Sequence, residues 1–197
     1  MPLETIKELP TLPQRRAESH KGDHGRVLIL AGSRGMAGAA GLTGAAALRS
    51  GAGLVKVASP SSTQPIVATF EPSYMTWPLA EDSQGCVDFT IARTDLERLA
   101  ADADVVAIGP GLGLSEGTRS LVRWCVEELD VPTVLDADAL NALVGQIELL
   151  ERVQRPVVLT PHPGEFSRLT GRRVADVQAD RSSAAAAFAE LAEPVVV

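Results

Sequence analysis

The stretch that most constrains this chain is residues 26–60, RVLILAGSRGMAGAAGLTGAAALRSGAGLVKVASP. Residues 27–30 are a short apolar run of strand type, and the glycine-rich residues 31–38 follow as a loop. Residues 39–50 have helix composition, and Gly51 stands where a left-handed C-terminal cap belongs. Residues 54–58 read as a second strand. Two strands joined through a helix run parallel and require a right-handed crossover. The helix is unusual, because Gly38, Gly41 and Gly44 recur every third residue among Ala39, Ala40, Ala45, Ala46 and Ala47. A glycine inside a helix costs about 1 kcal/mol against alanine, so something must come close to this backbone. Tight helix-on-sheet packing is one reading. A loop and helix start that hold a phosphate or dinucleotide on free N–H groups is the other. The pattern is neither a Walker A loop nor GxGxxG.

The same grammar recurs downstream. Residues 105–108 form a strand running into Gly109-Pro110-Gly111-Leu112-Gly113, and Ser115 caps a helix through residue 129. Residues 133–135 run into Asp136-Ala137-Asp138, with a helix near Leu140. Residues 157–159 run into Thr160-Pro161-His162-Pro163-Gly164-Glu165. Asp180 caps a helix to residue 191, and residues 195–197 begin a further strand. In between, residues 61–67 open a short helix, 71–79 form a strand, and 94–101 have helical spacing. The strands are continuous apolar runs, as in a mostly parallel central sheet with helices on both faces, an α/β fold. In such sheets ligands sit outside the carboxyl ends of the strands, where all four unusual loops fall.

At 197 residues the chain is expected to form one domain, with residues 1–25 as an N-terminal arm broken by Pro2, Pro10 and Pro13. The net charge of −7, without a basic block, argues against nucleic acid or an anionic membrane as partner. An anionic small ligand would rely on backbone N–H groups and a few local cations; Lys21 and Arg26 are candidates near the first loop, with His20 and His24 beside them. Cys86 and Cys125 are isolated and histidines number three, so no metal cluster is expected. No signal-peptide core and no apolar run of about 20 residues occurs, which points to the cytoplasm.

Among the loops, Gly111 and Gly113 offer backbone without side chains, suited to a flat or phosphorylated ligand or to a tight turn. Asp136 and Asp138 at a strand end can accept from ribose hydroxyls, hold Mg2+ through water, or cap the next helix, Asp136 being the favoured site residue of the two. His162 lies between two prolines and Glu165 begins a helix, so both have a structural reading as well as a functional one.

Taken in order, SHKGDHGRVLILAGSRGMAGAAGLTGAAALRSGAGLVKV, AIGPGLG, VLDADALNAL and LTPHPGEFSRLTG closely resemble the NAD(P)H-hydrate dehydratase family of the ribokinase-like superfamily. The resemblance implies repair of hydrated NADH or NADPH: a nucleotide, ADP or ATP with Mg2+, phosphorylates the hydroxyl, and phosphate is eliminated. It also implies that Gly38, Ala39 and Ala40, then Gly111 and Gly113, line the substrate pocket, and that His162, Glu165 and Arg168 belong to a substrate-binding segment. It implies a homo-oligomer, such as a tetramer. The family continues into a KG loop that binds the nucleotide and a GTGD motif whose aspartate is the base; neither occurs in these 197 residues. The chain therefore reads as a ribokinase-like domain lacking its C-terminal part and inactive by itself. A ribokinase-like kinase of a vitamin precursor and a non-catalytic dinucleotide-binding fragment are the alternatives.

Overall fold

Strand β1, Arg26–Leu30, alternates its side chains between two apolar layers. Leu28 and Leu30 enter one layer, while Ile29 enters the other. A strand buried on both faces belongs inside a parallel sheet, and β1 lies third of seven strands. The computed structural model describes residue 11, residues 14–190 and the backbone of residues 195–196. The start of the expected arm (residues 1–10, 12 and 13), with Leu191 and Val197 at the ends of the last expected helix and strand, lies outside the described residues.

From β1 the chain passes through α1, Ala37–Arg49, to β2, Leu54–Pro60, and through α2, Gln64–Val67, to β3, Met75–Leu79. It then crosses back through α3, Phe89–Ala101, to β4, Val105–Ile108, which pairs with the other side of β1. Beyond β4 come α4, Glu116–Glu127, and β5, Thr133–Leu135, then α5, Asp138–Ala142, and β6, Val157–Leu159. Helices α6, Pro163–Thr170, α7, Val174–Ala179, and α8, Arg181–Ala189, lead to β7, Val195–Val196. All pairings are parallel, in the order β3-β2-β1-β4-β5-β6-β7.

This order sends the chain in opposite directions from the β1–β4 pair. Right-handed crossovers then place the helices of the two arms on opposite faces. Accordingly Ala37 and Ala40 of α1 and Val67 of α2 pack with Ile29, Val55 and Val57, whereas α3, α4, α5, α6 and α8 pack with Leu28, Val106, Ile108, Leu135 and Leu159. The carboxyl ends of β1 and β4 therefore mark the topological switch point, the place where ligands of open α/β sheets bind.

Packing accounts for two of the three helical glycines. A Cβ on Gly41 would strike the Phe70 ring, and one on Gly44 would lie 2.8 Å from the Tyr74 ring and 2.9 Å from Val57. Tyr74 is fixed by donating its hydroxyl to the Val67 carbonyl at 2.6 Å. Gly38 has no such neighbour.

Boundaries shift where tertiary contacts add a cap. Helix α3 begins at Phe89 rather than near residue 94, because Asp88 accepts from the Ile91 N–H at 3.2 Å. The caps expected at Ser115 and Asp180 are present, accepting from Thr118 and Ser183. Helix α7 was not legible as a separate element. Arg155, buried, donates to the carbonyls of Val131 and Val126 at 2.9 and 3.1 Å and to that of Cys125, so it caps the carboxyl end of α4.

Candidate functional site

The β1–α1 loop and the β4–α4 turn are in direct contact at the switch point. Gly32 N–H donates to the Pro110 carbonyl at 2.9 Å, and the buried Ser33 hydroxyl donates to the Gly111 carbonyl at 2.8 Å. The turn's glycines are required by this packing and by positive φ. Gly109 (φ 134°) leaves room for the Asp136 carbonyl, Gly111 (φ 66°) faces Met36 and Ala39, and Gly113 (φ 75°) faces Cys86. The tight-turn reading of GPGLG therefore accounts for its bare backbone.

Gly38 is different. It sits exposed in the first turn of α1, without positive φ, and a Cβ added there meets nothing within 4 Å. Neither packing nor backbone conformation explains the missing side chain. No side chain caps this end of α1 and no acidic residue lies in its first turn; the Ala39 N–H donates to the Met36 carbonyl at 3.2 Å, and the dipole's positive end is offset by no charge of the helix itself. Ala39 is half-buried, and Ala40 is fully buried against Gly32, so Ala40 can reach a ligand only through its backbone.

A third loop, legible in the sequence as a polar loop over residues 80–85 but not as part of the site, closes the rim on the β3 side. Residues 81–87 fold into a small turn with a bridge between Glu81 and Val87. Its Gly85 carbonyl accepts from the Arg34 N–H at 3.0 Å, and Glu81 pairs with the Arg34 guanidinium at 3.3 Å. Burial would raise the Asp82 carboxyl, but hydrogen bonds from the Cys86 and Gln84 N–H groups and from Ser115 outweigh it and hold the group below the ordinary aspartate range. Arg34 is thus held against this loop.

The α6 segment joins the rim through side chains. Asp138 accepts from the Gly113 N–H at 2.9 Å, and Asn141 accepts from Arg168 Nε at 2.9 Å. His162 is the N-cap of α6: its Nδ1 accepts from the Gly164 and Glu165 N–H groups at 3.0 and 3.3 Å, while Glu165 Oε2 accepts from the His162 N–H at 2.9 Å. With Nδ1 accepting, the proton resides on Nε2, which lies 3.2 Å from Glu165 Oε1. The ring and the buried Glu165 carboxylate are therefore engaged in building the helix start, the structural role weighed for both residues.

A cleft of about 410 Å³ is lined by Leu42, Thr43 and Ala46 of α1, Ala107 and Val134 of the sheet, and Pro110, Asp136 and Thr160 at strand ends; of the site residues expected from the sequence, Asp136 alone lines it. Thr160 also borders a second cleft of about 340 Å³, between β6 and α6–α8, lined by Phe166, Val177 and Arg181. Residues 32–40, 109–113 and 162–168 thus lie along one carboxyl edge. Lys21, Arg26, His20 and His24 do not: β1 starts at Arg26, so everything before it lies at the amino edge, where Arg26 pairs with Asp102 at 2.7 Å. Among the described residues no group of three His, Cys, Asp or Glu side chains could hold a metal, and no helix is long and apolar enough to cross a membrane.

The sequence model of the NAD(P)H-hydrate dehydratase family matches residues 27–197. The bifunctional NAD(P)H-hydrate repair enzyme Nnr of Moorella thermoacetica is 45% identical over 178 residues, covering 90% of this chain and 33% of that protein. The ADP-dependent (S)-NAD(P)H-hydrate dehydratase of Bacillus subtilis is 37% identical over 193 residues, covering 95% of this chain and 62% of that protein. A crystal structure of the ADP/ATP-dependent NAD(P)H-hydrate dehydratase from Bacillus subtilis, co-crystallised with ATP/Mg2+, has a TM-score of 0.72 at 36% identity, over 95% of this chain and 62% of that one. A ribokinase-like superfamily protein from Enterococcus faecalis V583 has a TM-score of 0.71 at 25% identity, over 89% of this chain and 58% of that one. The chain thus spans about a third of the bifunctional relatives and under two thirds of the dehydratase. Nearly the whole described sheet falls within the match, and so do all the rim loops: this chain belongs to the NAD(P)H-hydrate dehydratase family and has its ribokinase-like fold.

Proposed function

We propose that these residues form the substrate rim of an enzyme that returns hydrated NADH or NADPH to the reduced dinucleotide, using ADP or ATP with Mg2+. Hydroxide is a poor leaving group and phosphate a good one. The nucleotide, when bound, supplies the phosphoryl group that makes the substrate hydroxyl able to leave, and Mg2+ offsets the charge of the phosphates.

The share of this chain is positioning and charge. The uncapped first turn of α1 offers N–H donors to a substrate phosphate, and Gly38 lets that anion come close. Arg168 brings the rim's further positive charge. Asp136 accepts from ribose hydroxyls or holds Mg2+ through water, consistent with the preference of Mg2+ for one or two carboxylates plus phosphate oxygens. Gly111 and Gly113 shape the turn beneath the substrate, and His162 and Glu165 hold the start of α6. A cytoplasmic setting and a homo-oligomeric assembly complete the reading.

The observation that carries it is Gly38, a glycine without a structural reason in the exposed first turn of α1. The test is calorimetric titration of the chain with hydrated NADPH, expected to bind, and with a thiazole or pyridoxal precursor, expected not to. The reverse preference would make the protein a vitamin-precursor kinase. With ADP and Mg2+, residues 1–197 alone are expected to give no rise at the reduced-nicotinamide absorbance band, since no GTGD occurs in them. Full turnover would overturn the placing of the base in that motif.

A further inference from the structure

Three elements of the rim meet in one chain of hydrogen bonds. The Gly113 N–H donates to Asp138 Oδ2 at 2.9 Å, Asn141 Nδ2 donates to Asp138 Oδ1 at 3.4 Å, and Arg168 Nε donates to Asn141 Oδ1 at 2.9 Å. The outer links span 25 and 27 residues of sequence, so they fix parts of the fold that no local structure connects.

The chain has a polarity. A carboxylate only accepts and a guanidinium only donates, so the Asn141 carboxamide is satisfied at both ends in one orientation only. Turning it over would set its amide against Arg168 and its carbonyl against Asp138. The turn that carries Asp138 is also under constraint. Ala137, with φ 50° and ψ −116°, is the one non-glycine with positive φ among the described residues. Such a conformation persists only where its surroundings over-determine it, and these outliers cluster at functional sites. Here Gly109 admits the Asp136 carbonyl, and the Asp136 N–H donates to the Ile108 carbonyl at 3.0 Å.

At the far end, Arg168 spends Nε on Asn141. Among the described residues its terminal nitrogens have no hydrogen-bond partner, and Nη1 would lie 3.7 Å from a Cβ on Gly164, beside the α6 start. A guanidinium anchored through Nε keeps a fixed heading and leaves its other donors for a bidentate partner.

We propose that Asn141 is a positioning residue, which through Asp138 and Arg168 sets the glycine turn 109–113 and the Arg168 guanidinium in register to hold an anionic group of the substrate. This rests on the reading of the rim as the substrate site.

The test exploits the polarity. Asp138→Asn alone sets two amides against each other, and Asn141→Asp alone sets two carboxylates against each other. The double variant D138N/N141D restores every donor–acceptor match with the charge unchanged, since the new amide donates to the new carboxylate, which still accepts from Arg168. Each single variant should speed amide exchange at Gly113 and weaken binding of hydrated NADPH, both by about tenfold, with the double variant within about twofold of the parent. In an Arg168→Ala background, Asn141→Leu should cost less affinity than in the parent, because the share that Asn141 exerts through Arg168 is already gone. A double variant that sums the two single losses, or an Asn141→Leu loss that is undiminished without Arg168, overturns the proposal. If the parent chain does not bind hydrated NADPH, the functional reading falls, while the exchange rates still decide whether the brace exists: unchanged exchange in both singles refutes it.

Discussion

Replacing Gly38 by alanine separates a glycine kept for the fold from one kept for a ligand. Alanine is the better helix former by up to about 1 kcal/mol, and the new methyl group meets no atom within 4 Å. The variant should therefore be more stable by about 0.5–1 kcal/mol, a rise in Tm of roughly 1–4 °C for a chain of this size. Gly41→Ala and Gly44→Ala are the controls. Their methyl groups would press on the rings of Phe70 and Tyr74, and overpacking of that kind costs typically about 1–3 kcal/mol. Binding should move the other way at position 38. A methyl group over the open donors of α1 holds a phosphate away from them, and loss of a charge-assisted hydrogen bond corresponds to roughly a tenfold or greater loss of affinity. Thermal unfolding and calorimetric titration with hydrated NADPH, run on the same samples, read both quantities. A Gly38→Ala chain that is more stable and binds as tightly as the parent would refute the assignment of Gly38 to the ligand. One that is less stable would mean that the residue has a structural role after all.

Three further outcomes follow from the packing and the charges. Ser59 Oγ is the one fully buried side-chain polar atom among the described residues without a hydrogen-bond partner; Ser59→Ala should raise the denaturant midpoint, with a gain of about 1 kcal/mol. Arg155→Met leaves the carbonyls at the end of α4 without their donor and should cost about 2–4 kcal/mol in the same assay, with no direct change at the rim. The Asp82 carboxyl is held below its ordinary value, so its contribution is present above about pH 4 and is lost as pH falls through the lowered folded-state value; amide exchange in residues 81–87 should accelerate over that interval, and Asp82→Asn should show the faster rate already at neutral pH.

The strands and their direction were legible because a parallel sheet buries both faces of its inner strands, so β1, β4, β5 and β6 stand out as short apolar runs and β2 as one interrupted by Lys56. Strand direction also settles a point that sequence proximity obscured. Lys21 and Arg26 are near the first loop in sequence, but five strand residues, about 16 Å at 3.3 Å each, separate the amino edge from the carboxyl edge. What could not be read was which neighbour each glycine meets. Gly38, Gly41 and Gly44 look alike in sequence; only the arrival of Phe70 and Tyr74 from the α2–β3 connection distinguishes them. His162 was legible as a stiffened residue but not as a helix cap, since imidazole is not among the usual capping side chains. The start of α3 was hidden because Phe89, Thr90 and Ile91 are strand formers by type, overridden by the Asp88 cap and by burial of Ala92 and Leu96. The Asp138–Asn141–Arg168 chain depends on side chains from two separate helices and leaves no local pattern.

The central claim is that the loops after β1, β4 and β6 act together on one anionic nicotinamide compound. Amide chemical shifts of the isotope-labelled chain, titrated with hydrated NADPH, test it most directly. The account predicts saturable shifts concentrated in residues 33–40, 109–113 and 162–168. Shifts confined to the amino edge around Arg26 and Asp102, or to only one of the three loops, would contradict it.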